Sequence, residues 1–295
     1  MPGRMMGVYP ILITPFDEQS RIDEESLRKL VEFNVKAGVH GLGIAMGSEV
    51  FKLSEAERTQ MTRIVVDQVR GRVPVVVNTG APGTDLAVLY SKMAEENGAD
   101  AVMCIPPSVS PASPAEVREY FKAISDAVKV PIFIQDVVSA PVSAGLARQI
   151  AQESERVLYI KVESGFTPTK VAEVVAQAGE LLTIFGGAGG SYFIEEMRRG
   201  SVGTMPFPSQ PEAFVEVWNR FQAGDEKGAR EVFDRTIVPI NRVGAEAPGA
   251  YYHVHKELLR QRGVIRTARV RHPAGPPLDE MTRRELQQVI DELYG

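Results

Sequence analysis

Eight short apolar runs, each followed by a segment of helical pattern, constrain this chain more than any other feature. They cover residues 7–13, 41–45, 75–77, 101–105, 132–134, 158–160, 182–185 and 202–205. Each run is near-continuously apolar rather than alternating, as parallel strands covered on both faces require. The intervening segments carry helix start and stop signals. Asp23 precedes a stripe of Leu27, Leu30 and Val31, and Gly38 follows it. Ser54 with Glu57 and Ser113 with Glu116 have capping-box spacing, the second with Pro114 at the first helical position. Thr167-Pro168 opens a further helix that Gly179 closes. Eight strand–helix units predict an α/β fold, a closed (β/α)8 TIM barrel. An open doubly wound sheet is the alternative, because pattern alone does not establish closure.

Beyond about residue 211 the strand signal stops. Helical patterns lie near 214–221, 226–236, 251–262 and 282–293, with a breaker cluster over 271–277. The expected division is a barrel over 1–208 and a C-terminal helical region over 209–295, packed on the barrel and available for an oligomer contact.

The length, 295 residues with 44% hydrophobic, supports one large domain or a barrel plus extension. A net charge of -5 and scattered Lys and Arg argue against nucleic acid as a partner. No apolar run approaches the ~20 residues of a membrane span. The stretch 8–12 contains Pro10 and is followed by Pro15, so it reads as a strand rather than a signal peptide. The single cysteine, Cys104, excludes an internal disulfide and fits a reducing cytoplasm. Its neighbours Val102, Met103 and Ile105 predict a buried, inert thiol. His253 and His255 are two apart and do not share a helix face, so neither a metal site nor a cofactor is expected.

One charged residue breaks the apolar logic. Lys161 closes the run Val157-Leu158-Tyr159-Ile160 and precedes Val162-Glu163-Ser164-Gly165. An ammonium is costly inside a core. Burial favours the neutral amine, which attacks carbonyls, so the placement points to Schiff-base chemistry; a surface lysine past a strand end is the alternative. Barrel chemistry gathers at the C-terminal ends of strands. Those ends here are 45–49, 106–108, Gln135-Asp136, Lys161 and 186–190. Strand alternation puts Tyr159 and Glu163 on the same side as Lys161. Tyr159 is a candidate proton carrier or a barrel-filling ring, and Glu163 a candidate proton shuttle or ion-pair partner. Asp136 alternates away from Gln135, which favours a packing or capping role. Met46, Gly47 and Ser48 form a candidate anion-binding turn, with Glu49 holding the loop. Gly186 and Gly187 are candidates for exposing bare backbone to a ligand.

These residues resemble the dihydrodipicolinate synthase / N-acetylneuraminate lyase superfamily of class I aldolases. The likeness covers nearly the whole chain. It includes the opening Gly7-Val8-Tyr9-Pro10, Gly47-Ser48-Glu49 with Leu53-Ser54-Glu55, Ile160-Lys161-Val162-Glu163-Ser164, and Gly186. The resemblance implies a (β/α)8 barrel with a helical C-terminal region, a homotetramer, and a Lys161 imine with the C2 carbonyl of a 2-oxo acid. The synthase and lyase branches place a tyrosine where this chain has Gln135, and the synthase an arginine where it has Ala140. Glutamine does not transfer protons near neutral pH but can orient a partner. The pattern around Gln135, Lys161 and Arg271-His272-Pro273 resembles the 2-keto-3-deoxy sugar acid dehydratase branch, with L-2-keto-3-deoxyarabonate dehydratase nearest. The expected activity is therefore a Schiff-base lyase acting on a small 2-oxo acid, as dehydratase or aldolase. The alternatives are a synthase-like condensation with pyruvate, a metal-dependent aldolase, and a non-catalytic barrel that binds a small acid.

Overall fold

Parallel pairing links strands at all eight predicted positions. The structure, a computed structural model, describes residues 4–110 and 112–295. The strands are β1 (Gly7–Val8), β2 (Leu42–Ile44), β3 (Val75–Asn78), β4 (Ala101–Cys104), β5 (Ile132–Asp136), β6 (Val157–Val162), β7 (Thr183–Gly186) and β8 (Gly203–Thr204). They hydrogen-bond in the order β1-β8-β7-β6-β5-β4-β3-β2. The two ends of that order are joined beside β2: the His40 N–H donates to the Val8 carbonyl at 2.9 Å. In return, the Val8 N–H donates to His40 Nδ1 at 3.2 Å. The sheet thus closes on itself as a (β/α)8 barrel. The run at 7–13 shortens to two paired residues because Pro10 has no N–H to give a ladder.

Helices follow the strands: α1 (Glu24–Lys36), α2 (Glu55–Val69), α3 (Thr84–Glu96), α4 (Pro114–Ala127), α5 (Ala144–Glu153), α6 (Thr167–Ala178), α7 (Phe193–Met197) and α8 (Pro211–Gln222). Four more complete the chain: α9 (Glu226–Val232), α10 (Val238–Gly244), α11 (Ala250–Gln261) and α12 (Glu280–Tyr294). The caps explain the starts. Asp23 accepts the Ser26 N–H, and both capping boxes form, at Ser54/Glu57 and Ser113/Glu116. The segment expected as one helix over 226–236 instead ends at Val232 and passes through a π-helical turn, Phe233–Ile237. Helix α10 then begins with a proline in its first turn, where the missing N–H is tolerated. That helix was not visible in the sequence pattern.

Packing separates two compact units. The first comprises Met1–Tyr9, His40–Ala45 and Val73–Pro206, and so contains the whole sheet with α3–α7. Its interior is aromatic: Phe133 and Tyr159 stack at 4.4 Å, and Phe185 meets Tyr9 and Phe133 edge-on at 5.3 and 5.6 Å. Cys104 is buried there, and burial pushes its thiol up to about 12, which makes it inert.

The second unit comprises Pro10–Val39, Met46–Arg72 and Phe207–Gly295. Ile240, Val243, Val254, Leu258, Leu286 and Ile290 join α10, α11 and α12. Glu49, fully buried, accepts Lys256 Nζ at 2.6 Å and Lys52 Nζ at 2.9 Å. Burial pulls Lys256 down to about 8, against the upward pull of Glu49. Lys52 also donates to the Arg271 carbonyl, and Arg271 pairs with Glu57 at 2.7 Å. These bonds tie the breaker segment to the loop after Met46, the holding role expected of Glu49. No helix among the described residues is long and apolar enough to cross a membrane.

Candidate functional site

Three strand ends in the first unit supply the core of the site. Lys161, near the end of β6, is only 3% exposed despite its charge. Its Nζ lies 2.9 Å from Glu163 Oε1, two residues further along the same edge. Glu163, expected from sequence as a proton shuttle or an ion-pair partner, is paired with the amine. That carboxylate is held from several sides. The Ala188 N–H donates to Oε1 at 3.1 Å, and Gln135 Nε2 donates to Oε2 at 2.9 Å. Gln135 is fully buried and lies opposite Lys161 in the β5–β6 register. Its own carbonyl oxygen accepts Asn78 Nδ2 from the end of β3 at 2.9 Å, which fixes the amide with its NH2 toward Glu163. Both Glu163 oxygens therefore face donors. Gln135 orients the carboxylate and moves no proton.

Asp136, next in the chain and fully buried, is the anchor behind this group. It pairs with Lys170 of α6 at 2.7 Å, and its Oδ2 accepts the N–H groups of Glu163 and Ser164 at 3.3 and 3.1 Å. It also accepts the Val142 N–H at 2.8 Å, closing the turn after β5. The packing or capping role expected for Asp136 is thus a tether on the backbone that carries Glu163.

Tyr159 is removed from the reacting group. The Met5 N–H, before β1, donates to its hydroxyl at 3.1 Å, and its ring stacks on Phe133. Alternation placed the side chain on the correct side, but the hydroxyl points toward the N-terminal rim, away from the strand end that carries Glu163. In this structure its ring fills the barrel interior beside Phe133.

The glycines after β7 also differ from expectation. A Cβ on Gly187 would lie 2.3 Å from Glu163 Cγ, and one on Gly186 would lie 1.7 Å from Glu196 Oε2. Their missing side chains make room for the protein's own carboxylates, and the loop's Ala188 N–H is spent on Glu163. A glycine run shows absent side chains but not what fills their volume.

Met46, Gly47 and Ser48 belong to the second unit and make their contacts there, in a 3-10 turn. The Met46 carbonyl accepts the Tyr252 hydroxyl at 2.8 Å. Gly47 sits close to Ile11 and Phe207. Ser48 is buried, and its hydroxyl donates to the Leu12 carbonyl, so in this state it is turned inward rather than offered to an anion.

Sequence reasoning missed Asn78, Lys170, Ala188 and Glu196. Asn78 had a usable signal: like Lys161, it is a polar residue closing an apolar run, Val75-Val76-Val77. The others carry no signal of that kind. Among the described residues no group of three or more His, Cys, Asp or Glu is arranged to hold a metal ion.

The chain is similar to known proteins over nearly its whole length. The model of the dihydrodipicolinate synthetase family matches residues 4–293. L-2-keto-3-deoxyarabonate dehydratase of Azospirillum brasilense is 30% identical over 300 residues, covering 98% of this chain and 95% of that protein. 4-Hydroxy-tetrahydrodipicolinate synthase of Sorangium cellulosum is 34% identical over 304 residues, covering 98% and 96%. The crystal structure of dihydrodipicolinate synthase from Rhodopseudomonas palustris superposes with a TM-score of 0.89 at 26% identity, covering 98% and 97%.

Proposed function

Since the chain belongs to the dihydrodipicolinate synthetase family and is a lyase of that family, we propose that it dehydrates a 2-keto-3-deoxy sugar acid through an imine on Lys161. The observation that carries the proposal is the Lys161–Glu163 pair, a buried amine ion-paired with a carboxylate held by Gln135 and the Ala188 N–H.

The chemistry runs through that pair. Lys161 passes a proton to Glu163, and the free amine attacks C2 of the 2-oxo acid. Glu163 returns that proton to the departing hydroxyl, and loss of water leaves a protonated imine, an electron sink that acidifies C3–H, beside a carboxylate that is again a base. Glu163 removes the C3 proton, and the electron pair enters the enamine. The enamine expels the C4 hydroxyl, which leaves as water with the proton Glu163 collected. Loss of a C5 proton and protonation at C3 turn the conjugated imine into a C4–C5 enol, which tautomerises to the aldehyde, and hydrolysis of the imine then frees Lys161 and a 2-oxo semialdehyde. Gln135 supports dehydration over the synthase-like condensation, because it cannot serve as the hydroxyl proton shuttle that a tyrosine provides. The relative named as a dehydratase supports the same branch, whereas the relatives named as synthases favour condensation with pyruvate. A homotetramer, a cytoplasmic location and a small 2-oxo acid as sole partner complete the proposal.

The test is to incubate the protein with a panel of 2-oxo acids and borohydride, locate the adduct by peptide mass, and analyse the products. Reduction onto Lys161 with formation of a 2-oxo semialdehyde is the expected result. Pyruvate plus an aldehyde would show aldol cleavage, pyruvate consumption with a second carbonyl compound would show condensation, and an adduct elsewhere would refute the assignment. Lys161→Ala should abolish the adduct and turnover together.

A further inference from the structure

Behind the Gly186–Gly187 turn lies a carboxyl group that the chemistry above does not use. Glu196, on α7, is fully buried. Its Oε1 accepts the Thr167 hydroxyl at 2.5 Å, and its Oε2 has no hydrogen-bond partner among the described residues. Oε2 occupies the slot where a side chain on Gly186 would begin. Gly186 pairs with Thr204 across the β7–β8 ladder, so side chains at the two positions leave the sheet on one face. Thr204 Oγ1 is likewise buried without a hydrogen-bond partner among the described residues. The Glu196 backbone reaches the same glycine by another route: the Ser201 N–H donates to the Glu196 carbonyl, and the Gly186 N–H donates to Ser201 Oγ at 3.2 Å.

The charges facing Glu196 are both negative, Glu163 across the turn and Glu195 on its own helix. The cations on the neighbouring strand end and helix are committed elsewhere, Lys161 to Glu163 and Lys170 to Asp136. Burial, with repulsion from Glu163, raises Glu196 to about 7, and the Thr167 bond opposes that rise. A proton on Oε2 turns a bare acceptor into a donor.

We infer that Glu196 is a positioning residue that works uncharged: as a neutral acid it backs the Gly186–Gly187 turn against Glu163 and leaves Glu163 as the one carboxylate that takes the C3 proton. This rests on the imine reading of Lys161. Ionisation of Glu196 would set a second negative charge behind that turn. Glu163 would then hold its proton more tightly and return it less readily, so proton transfer should fail as the pH rises through about 7.

The probe is pyruvate in D2O. Proton abstraction from its imine breaks a C3–H bond, sends the proton to Glu163 and the electron pair into the enamine, and solvent deuterium returns to C3. NMR reads the exchange rate. In the wild type, exchange should fall on an alkaline limb near pH 7. Glu196→Gln, a permanent mimic of the neutral acid, should move that limb upward by a pH unit or more and exchange about tenfold faster than wild type near pH 8.5. Thr167→Val removes the bond that opposes the raised value, so it should also move the limb upward, and it serves if Glu196→Gln does not fold.

A second readout needs no substrate. A carboxyl whose folded value lies above its unfolded value costs stability as the pH rises between the two, here from about 4.5 to about 7. Glu196→Gln should unfold with an equilibrium constant on the order of a hundredfold smaller than wild type above pH 7, with the gap closing below pH 4.5. If borohydride fails to mark Lys161, the imine reading fails. If Lys161 is still trapped but the variants keep the wild-type exchange profile, this inference fails, even if the stability gap appears, because Glu196 would then be structural only.

Discussion

A single methyl group on Gly187 tests whether Glu163 sits where the chemistry requires it. The added Cβ would lie 2.3 Å from Glu163 Cγ and 2.7 Å from Cδ and Oε1. Carbon contacts are comfortable from ~3.5 Å, so Gly187→Ala must displace the carboxylate by about 1 Å. Cγ is close to the β6 backbone and cannot swing away as a flexible tip would. The displacement breaks the 2.9 Å contacts to Lys161 and Gln135 together. Overpacking of this kind costs about 1–3 kcal/mol of stability, and a 1 Å misplacement of a reacting group costs up to about 100-fold in rate. Deuterium exchange into pyruvate should therefore fall by about 10- to 100-fold. Chemical denaturation of Gly187→Ala, Glu163→Ala and the double variant separates the clash from any effect on the turn, because the methyl should cost little once the Glu163 side chain is gone. Exchange within twofold of wild type, or the same cost for the methyl in both backgrounds, would refute this account of the site.

Two further substitutions probe the supports. Asp136→Asn leaves Lys170 without its carboxylate and loosens the tether on the Glu163 and Ser164 backbone; it should cost about 3–5 kcal/mol in urea denaturation and slow pyruvate exchange, and a cost under about 1 kcal/mol would show that Asp136 anchors nothing. Glu49→Gln leaves Lys52 and Lys256 facing each other across a buried site with no counter-charge; a loss of about 3–5 kcal/mol is expected, and wild-type stability would mean the cluster does not hold the second unit together.

The features that were legible in the sequence are local ones. Ser54 and Glu57 are three residues apart, and the capping box they form needs nothing beyond those four residues. The parallel strands were visible because both of their faces are buried, which removes polar residues from the run. Lys161 stood out by the same rule, as the cation that interrupts it. Tyr159 marks where local reasoning stops. Alternation fixes the side on which its ring lies, but not the level its hydroxyl reaches along the barrel, and Met5, 154 residues away in sequence, takes that hydroxyl. Glu196 was illegible for a related reason. It sits in an acidic pair on a five-residue helix, and only the fold sets it against a glycine of β7.

The two glycines after β7 follow from the charges around them. An imine-forming lysine cannot remain an ion pair and also be a nucleophile, so its carboxylate partner must be able to take its proton. Glu163 must then give that proton back, and a further ionised carboxylate behind its turn would make it retain the proton. Gly186 and Gly187 bring Glu196 and Glu163 to either side of one turn, closer than any other residue type would allow. At that separation, both groups cannot be charged at low cost. The buried Glu196, with one oxygen bare among the described residues, is the one that burial pushes up to about 7, whereas Glu163 has three donors on it. Replacing Gly186 with alanine would therefore disturb the same balance from the opposite face, acting through Glu196 rather than through contact with Glu163.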